Sequence, residues 1–223
     1  MSTKKLARSC YHRYDPPVPR LIDHTEREIA VAEAAWRVAA REGVRAVSVR
    51  GVAAEAGLAT ASLRRAFPTQ ASLLAYCLDL ARRRAAGRIA ALAQVTDPGS
   101  ALAVLVELLP LDAERRLEAE VQFALGTAAL TDPALRPAAD AAHEDVATAC
   151  RHVARALTGG PAATDPTQPD ATDPATAHLH ALLDGLALHL VRQAPAAPTG
   201  WAVEVLRGHL ATLAAGPADR PPG

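Results

Sequence analysis

The sequence predicts an all-α protein of about nine helices, with a small N-terminal helical domain followed by a larger helical bundle. Half of the 223 residues are hydrophobic but only 3% are aromatic. Alanine and leucine, which favour helices, outnumber the β-branched and aromatic residues that strands prefer. Apolar residues recur at helical spacing through most of the chain, and no segment shows the alternation typical of a strand. This composition excludes disorder of the whole chain.

Capping residues and helix breakers predict where each helix begins and ends. Thr25, Ser48 and Thr69 are suitable N-caps. At three further helix starts a cap is combined with a proline at the first helical position, in the pairs Asp97-Pro98, Asp132-Pro133 and Asp173-Pro174. The predicted helices run over about residues 25–43, 48–56, 60–67, 69–94, 97–110, 112–130, 132–157, 173–193 and 199–215. The resulting divisions are a flexible arm (1–24), a small domain (25–70), a larger domain (71–215) containing a linker (158–172), and a tail (216–223).

The net charge of zero conceals an uneven distribution. Residues 1–94 contain 16 Lys and Arg but 8 Asp and Glu, and residues 95–223 show the reverse. A basic first half is typical of a protein with a polyanionic partner, although two solvated helix faces would give the same counts.

The three cysteines and the N-terminus indicate a cytoplasmic location. Cys10, Cys77 and Cys150 are odd in number, far apart and without a C-x-x-C motif, which fits a reducing compartment. Lys4 and Lys5 are not followed by the apolar stretch of a signal peptide. No segment reaches the roughly 20 apolar residues that a membrane span needs, so we expect no membrane partner.

Residues 43–74 carry the most informative pattern, because two short predicted helices are joined by a tight turn that contains glycine. This is the helix-turn-helix arrangement, in which the second helix lies in the DNA major groove. The run EGVRAVSVRGVAAEAGLATASLRRAFPTQASLL resembles the TetR family of bacterial transcription regulators, with Gly43 and Gly57 fourteen positions apart as in that family. The matching positions between and after them are Val47, Ser48, Val49, Val52, Ala53, Leu58, Ser62, Leu63, Phe67, Leu73 and Leu74.

The resemblance implies a set of DNA contacts. Ser48 would cap the first motif helix and leave its N-terminal amides near a phosphate. The residues that open the recognition helix would face base edges, the two arginines after them would reach base or backbone, and the start of the next helix would meet phosphate. The implied contacts are Ser48, Thr60, Ala61, Ser62, Arg64, Arg65, Thr69 and Gln70.

Two positions depart from the family pattern. The family usually has Tyr where Arg64 stands and Lys where Gln70 stands, and both usually touch phosphate. Arg64 can contact phosphate or read guanine through its bidentate guanidinium, whereas Gln70 carries no charge. These departures leave open an alternative, an α-helical small-molecule binding protein or enzyme with a degenerate DNA-binding head. A purely structural dimerisation module is a third possibility.

For the larger domain, the resemblance implies a ligand pocket enclosed by helices between residues 71 and 157. It also implies a dimer interface built from the last two long helices. The pair Asp184-Gly185 resembles the penultimate helix of the subgroup related to choline-pathway repressors. Candidate pocket residues are Tyr76, Leu105, Gln122, Phe123 and His143, and candidate interface residues are Leu179, Leu182, Leu183, Leu186, Leu190, Trp201 and Val205. The same leucines could instead be core residues.

No motif for catalysis or for a metal ion stands out. His178 and His180 are two residues apart, so on a helix they point in different directions, and His143 and His152 lack a His or Cys partner four residues away. Neither a nucleophile elbow nor a phosphate-binding glycine loop is present. We therefore expect no metal, cofactor or catalytic residue. The expected function is a homodimeric, ligand-responsive repressor that binds a palindromic operator and is not an enzyme.

Overall fold

The computed structural model describes residues 24–159 and 173–216, and within them every regular element is helical. Nine α-helices occur in these residues, which confirms the predicted fold class. They are α1 (His24–Glu42), α2 (Val49–Glu55), α3 (Thr60–Ala66), α4 (Gln70–Ala90), α5 (Pro98–Val106), α6 (Ala113–Ala129), α7 (Arg136–Thr158), α8 (Pro174–Arg192) and α9 (Gly200–Ala215). Short 3-10 helices at Val44–Ala46 and Pro133–Leu135 precede α2 and α7. No helix of the described residues is long and apolar enough to cross a membrane.

The predicted N-caps at Ser48 and Thr69 are confirmed. The Ser48 hydroxyl accepts a hydrogen bond from the Gly51 amide at 3.1 Å. Thr69 and Ser72 form a reciprocal capping box, in which each side chain accepts from the other residue's amide. Asp97 likewise caps α5, ahead of its first-turn proline. Each such cap stabilises a helix by about 1 kcal/mol, which fixes where the motif helices and their neighbours begin.

Several helix ends differ from the prediction, for local reasons. Helix α4 ends at Ala90 instead of about residue 94, because the next amides turn back to carbonyls three residues earlier. Helix α7 begins at Arg136 rather than after Asp132, since Pro137 is tolerated only within the first turn of an α-helix. The predicted arm lies outside the described residues, apart from residue 24, as do most of the predicted linker and tail.

Two apolar clusters form the core. The first joins α1, α2, α3 and α4 to the second half of α6, around Val31, Val52, Leu63 and Leu73. The second joins α5, α7, α8 and α9. The N-terminal motif is therefore packed through α1 and α4 against α6.

Four leucines of the predicted dimer interface lie inside the protomer's own core, and this part of the prediction needs correction. Leu179, Leu183, Leu186 and Leu190 are at most 5% exposed, because this face of α8 packs on α5, α7 and α9. Buried side chains offer no contact surface to a partner chain. Among the other predicted residues, Leu182 is half-buried, while Trp201 and Val205 are 38% and 46% exposed.

Candidate nucleic-acid interface and ligand cavity

A tight turn at Gly57 sets α2 and α3 against each other. Gly57 has a φ of +66°, a conformation that favours glycine, and the Leu58 amide closes the turn by donating to the Ala53 carbonyl at 2.8 Å. Ala53 is fully buried, and Leu63 and Phe67 are nearly so. These contacts fix the orientation of α3, whose opposite face is left to solvent.

The predicted DNA contacts lie at the starts of α2 and α4 and along the solvent side of α3. Six of them, Ser48, Ala61, Arg64, Arg65, Thr69 and Gln70, are exposed, and Thr60 and Ser62 are partly buried. The Gln70 amide group reaches the Arg45 carbonyl at 3.5 Å, which links the start of α4 to the turn before α2.

The surface around α3 carries excess positive charge. Residues 43–70 contain four arginines, all exposed, and a single acidic residue, Glu55. In the part of the chain that the structure describes, none of the four arginines forms an ion pair. Two of them, Arg45 and Arg50, were not among the predicted contacts, although both lie within three residues of the Ser48 cap in the sequence.

Glu55 does not neutralise these arginines because α1 engages it. Arg37 and Arg41 donate to its two carboxylate oxygens at 2.9 and 3.1 Å. The hydrogen bond from Arg37, followed by that from Arg41, keeps the pKa of Glu55 below its ordinary value. The carboxylate is thus held towards α1, and the exposed positive charge beside α3 stays uncompensated.

A cavity of about 520 Å³ lies among α4, α5, α6, α7 and α8. Its wall is mostly alanine, leucine, isoleucine and valine. Two side chains on the wall carry aromatic rings, the phenyl ring of Phe123 and the imidazole of His152. The polar side chains on the wall are Arg82, Gln94, Glu107, Arg115, Glu118, Gln122, Asp145, Thr148, His152 and Asp184. An apolar pocket with a few polar groups is typical of a small-molecule site.

Most carboxylates of the cavity wall are neutralised by arginine. Arg88 donates to Glu107 at 2.9 Å and to Glu118 at 3.0 Å, and Arg82 donates to Asp145 at 2.7 Å. Burial is the largest influence on Glu118 and raises its pKa despite the arginine. The remaining wall carboxylate, Asp184, faces a histidine instead of an arginine.

The structure separates the predicted pocket residues into two groups. Gln122 and Phe123 line the cavity, and the Gln122 amide group has no hydrogen bond within the described residues. Tyr76 packs on the Phe67 ring at 5.3 Å, and Leu105 is fully buried in the second core cluster, so neither reaches the cavity.

His143 lies outside the cavity wall, with its ring centroid 4.6 Å from that of His180. These two histidines and Asp184 place three metal-ligating side chains together. His180 and Asp184 are one turn apart on α8, but the sequence analysis considered only His and Cys as helical partners and therefore passed over this pair. His143 joins them from α7. Burial is the largest influence on His180 and lowers its pKa, outweighing the opposite effect of Asp184.

Comparisons with known proteins cover both parts of the chain. Residues 31–77 match the model of bacterial regulatory proteins of the tetR family, and residues 100–215 match that of the BetI-type transcriptional repressor C-terminal domain. The second match confirms the resemblance of the C-terminal half to the choline-pathway repressor subgroup. The chain is also 33% identical over 174 residues to the HTH-type transcriptional regulator PksA of Bacillus subtilis, covering 77% of this chain and 82% of PksA.

Solved structures share the whole architecture. A transcriptional regulator from Rhodococcus sp. Rha1 superposes with a TM-score of 0.69 at 27% identity, covering 87% of this chain and 99% of that one. The multidrug binding protein EbrR, solved in complex with imidazole, has a TM-score of 0.58 and 32% identity over 83% of this chain and 95% of its own. EbrR has also been solved with proflavin and with ethidium.

Proposed function

The chain belongs to the TetR family of bacterial regulatory proteins, and from this premise we propose that it is a homodimeric repressor that releases a palindromic operator when a small molecule binds. The regulatory role itself follows from family membership. The observation that supports the DNA-binding part is the set of four exposed arginines around α3, none of which forms an ion pair with another described residue. They lie on a motif whose first helix is capped by Ser48 and whose turn is formed by Gly57.

In this proposal α3 enters the major groove. Thr60 and Ala61 open the helix and face base edges, and Arg64 and Arg65 reach guanine or the backbone. Thr69 and Gln70, at the start of α4, meet phosphate together with Arg45 and Arg50. Arg64 takes the place of the tyrosine usual in the family, so the positive charge absent at Gln70 is supplied one helix earlier.

The dimer would form through the faces of α8 and α9 that the protomer leaves exposed. Trp201 and Val205 on α9 and Leu188 on α8 are large apolar side chains at least 37% exposed. Aromatic residues of this kind are typical anchors of protein interfaces. Two recognition helices related by the dimer axis would read half-sites about 34 Å apart or a multiple of that distance.

The cavity would bind a mainly apolar small molecule, with the unpaired Gln122 amide as its polar anchor. EbrR provides a precedent for small organic ligands in a related structure. Few aromatic side chains line the cavity, which disfavours a large flat aromatic ligand such as ethidium. Because α6 forms both the cavity wall and part of the motif's core, a ligand that shifts α6 would favour a dimer whose half-site spacing no longer fits DNA.

The DNA-binding part is tested by selecting fragments of sheared genomic DNA with the purified full-length protein and sequencing them. We expect enrichment of one palindrome by the wild type and weaker enrichment by Arg64→Ala. The control is Arg207→Ala, which removes an exposed arginine of α9 and should leave the selection unchanged. If no sequence is enriched at moderate salt, the alternative of a ligand-binding protein with a degenerate DNA-binding head is favoured.

The ligand part is tested by thermal unfolding against a panel of small molecules that includes choline, imidazole, proflavin and ethidium. A ligand that raises the melting temperature of the wild type should do so less for Gln122→Ala. Gln70→Ala, a glutamine exchange outside the cavity, is the matched control and should respond like the wild type. An equal response of the two variants would contradict the assignment of Gln122.

A further inference from the structure

The contact between α7 and α8 brings together three side chains that commonly bind metal ions. His143 comes from α7, and His180 and Asp184 are one turn apart on α8. One ligand atom from each residue can be chosen so that all lie within 4.8 Å of one another. Two imidazoles and a carboxylate are a common ligand set for divalent first-row transition ions, zinc and iron among them.

The distance between His180 and Asp184 fits two ligands of one ion better than a direct contact between them. His180 Nε2 and Asp184 Oδ2 are 3.6 Å apart, which is too long for a hydrogen bond. In a tetrahedral zinc site with bonds of about 2.0–2.1 Å, neighbouring ligand atoms are separated by roughly 3.3 Å. A small rotation of either side chain would therefore reach that geometry.

The Nε2 atom of His180 is buried and has no hydrogen-bond partner among residues 24–159 and 173–216. A buried polar atom left without a partner is costly, and native structures supply one in the great majority of cases. This atom is directed towards Asp184 and belongs to a side chain that is only 13% exposed. The atom is therefore available to a ligand from outside the described residues.

Neighbouring charged groups do not compete for this position. Glu144, next to His143, accepts hydrogen bonds from Thr148 and Arg151. Asp184 has no arginine partner in the described part of the chain, unlike the other carboxylates of the cavity wall. The cluster therefore retains a carboxylate whose ion-pair partner in the described residues is His180, itself a member of the cluster.

We propose that His143, His180 and Asp184 form a binding site for a divalent transition-metal ion, with zinc as the preferred ion. Three protein ligands leave one coordination position open for water or an exogenous group. Since Asp184 also lines the cavity, the ion lies at the cavity's edge, where a donor atom of a bound small molecule could reach it. The site is independent of whether the head binds DNA.

The test uses full-length, tag-free protein that has been treated with a chelator and then freed of it. Zinc is titrated against a competing chromophoric chelator, and cobalt(II) is added separately to record its visible absorption. We expect the wild type to bind one zinc ion per chain. In His143→Gln and Asp184→Asn the zinc affinity should fall by at least about tenfold, because even residues that only support metal ligands contribute about 10–100-fold to metal affinity. The cobalt spectrum should change in the same variants.

Matched controls lie on α8. His178→Gln and His189→Gln remove exposed histidines outside both the cluster and the cavity wall, and they should keep the zinc affinity of the wild type. Because His143 is exposed, its replacement leaves the core intact, and the metal-free melting temperature of each variant verifies folding. The proposal is overturned if the wild type binds no zinc, or if zinc binds equally well to His143→Gln and Asp184→Asn.

Discussion

Arg116 of α6 is expected to be one of the most stabilising side chains outside the apolar core. Its guanidinium donates to the Leu190 and Gln193 carbonyls at 2.9 and 2.8 Å and also to the Val191 carbonyl. These carbonyls lie at the C-terminal end of α8, where the last carbonyls of a helix run out of helical amide partners. The Leu190 carbonyl also accepts a hydrogen bond from the Gln193 amide at 3.2 Å, so Arg116 adds a second donor there. Nε donates to Glu120 one turn along α6 at 3.1 Å.

The loss expected on replacing Arg116 by Met follows from these contacts. Hydrogen bonds from a charged donor contribute about 1.5–3 kcal/mol each, but water can reach some of the carbonyls once the side chain is shortened. The side chain is 17% exposed, so burial protects most of its contacts from solvent screening. Met retains the apolar stem, and we expect the free energy of unfolding to fall by about 2–4 kcal/mol.

Urea denaturation at a fixed protein concentration measures this loss, because the stability of a dimer depends on concentration. Arg207→Met is the control: its exposed ion pair with Glu204 should contribute less than about 0.5 kcal/mol. If Arg116→Met lost no more than Arg207→Met, the guanidinium would not be joining α6 to α8 as described. A loss of about 2–4 kcal/mol would show that the guanidinium joins α6 to the end of α8.

Two further predictions concern glycines and thiols. Gly57→Ala should lower the free energy of unfolding by about 1 kcal/mol, because Gly57 has a positive φ. Gly87→Ala lies in an open helical position and should raise the free energy of unfolding by up to about 1 kcal/mol. Equal effects of the two variants in urea denaturation would refute this conformational explanation. Burial raises the pKa of the Cys77 and Cys150 thiols to about 12. In a Cys10→Ser variant, neither thiol should therefore react with Ellman's reagent at about pH 8 until the protein is unfolded. Rapid reaction of the folded variant would contradict the burial of these thiols.

The sequence predicts best what local chemistry determines. Ser48 and Thr69 cap their helices, and Gly57 adopts a positive φ, because each depends on a few neighbouring residues. The register of the helix-turn-helix motif follows from these positions. The start of α7 was less predictable, because Pro133 and Pro137 both suit the first turn of a helix.

Long-range packing explains what the sequence could not predict. Leu183 and Leu186 have the spacing of an interface, but only the packing of α8 on its neighbours shows that they are core residues. Likewise, helical spacing cannot distinguish Leu105, in the core, from Phe123, on the cavity wall. The cluster of His143 with His180 depends on the contact between two helices separated by a linker, so no single-helix pattern reveals it.

We propose that the exposed arginines of α3 read a specific operator. Fluorescence anisotropy with the selected palindrome and a scrambled duplex of equal length, measured over a range of salt concentrations, tests it most directly. We predict that the wild type prefers the palindrome by about 10³-fold or more, and that Arg64→Ala loses about 1–3 kcal/mol on the palindrome with less loss on the scrambled duplex. Equal affinity of the wild type for both duplexes would contradict the account.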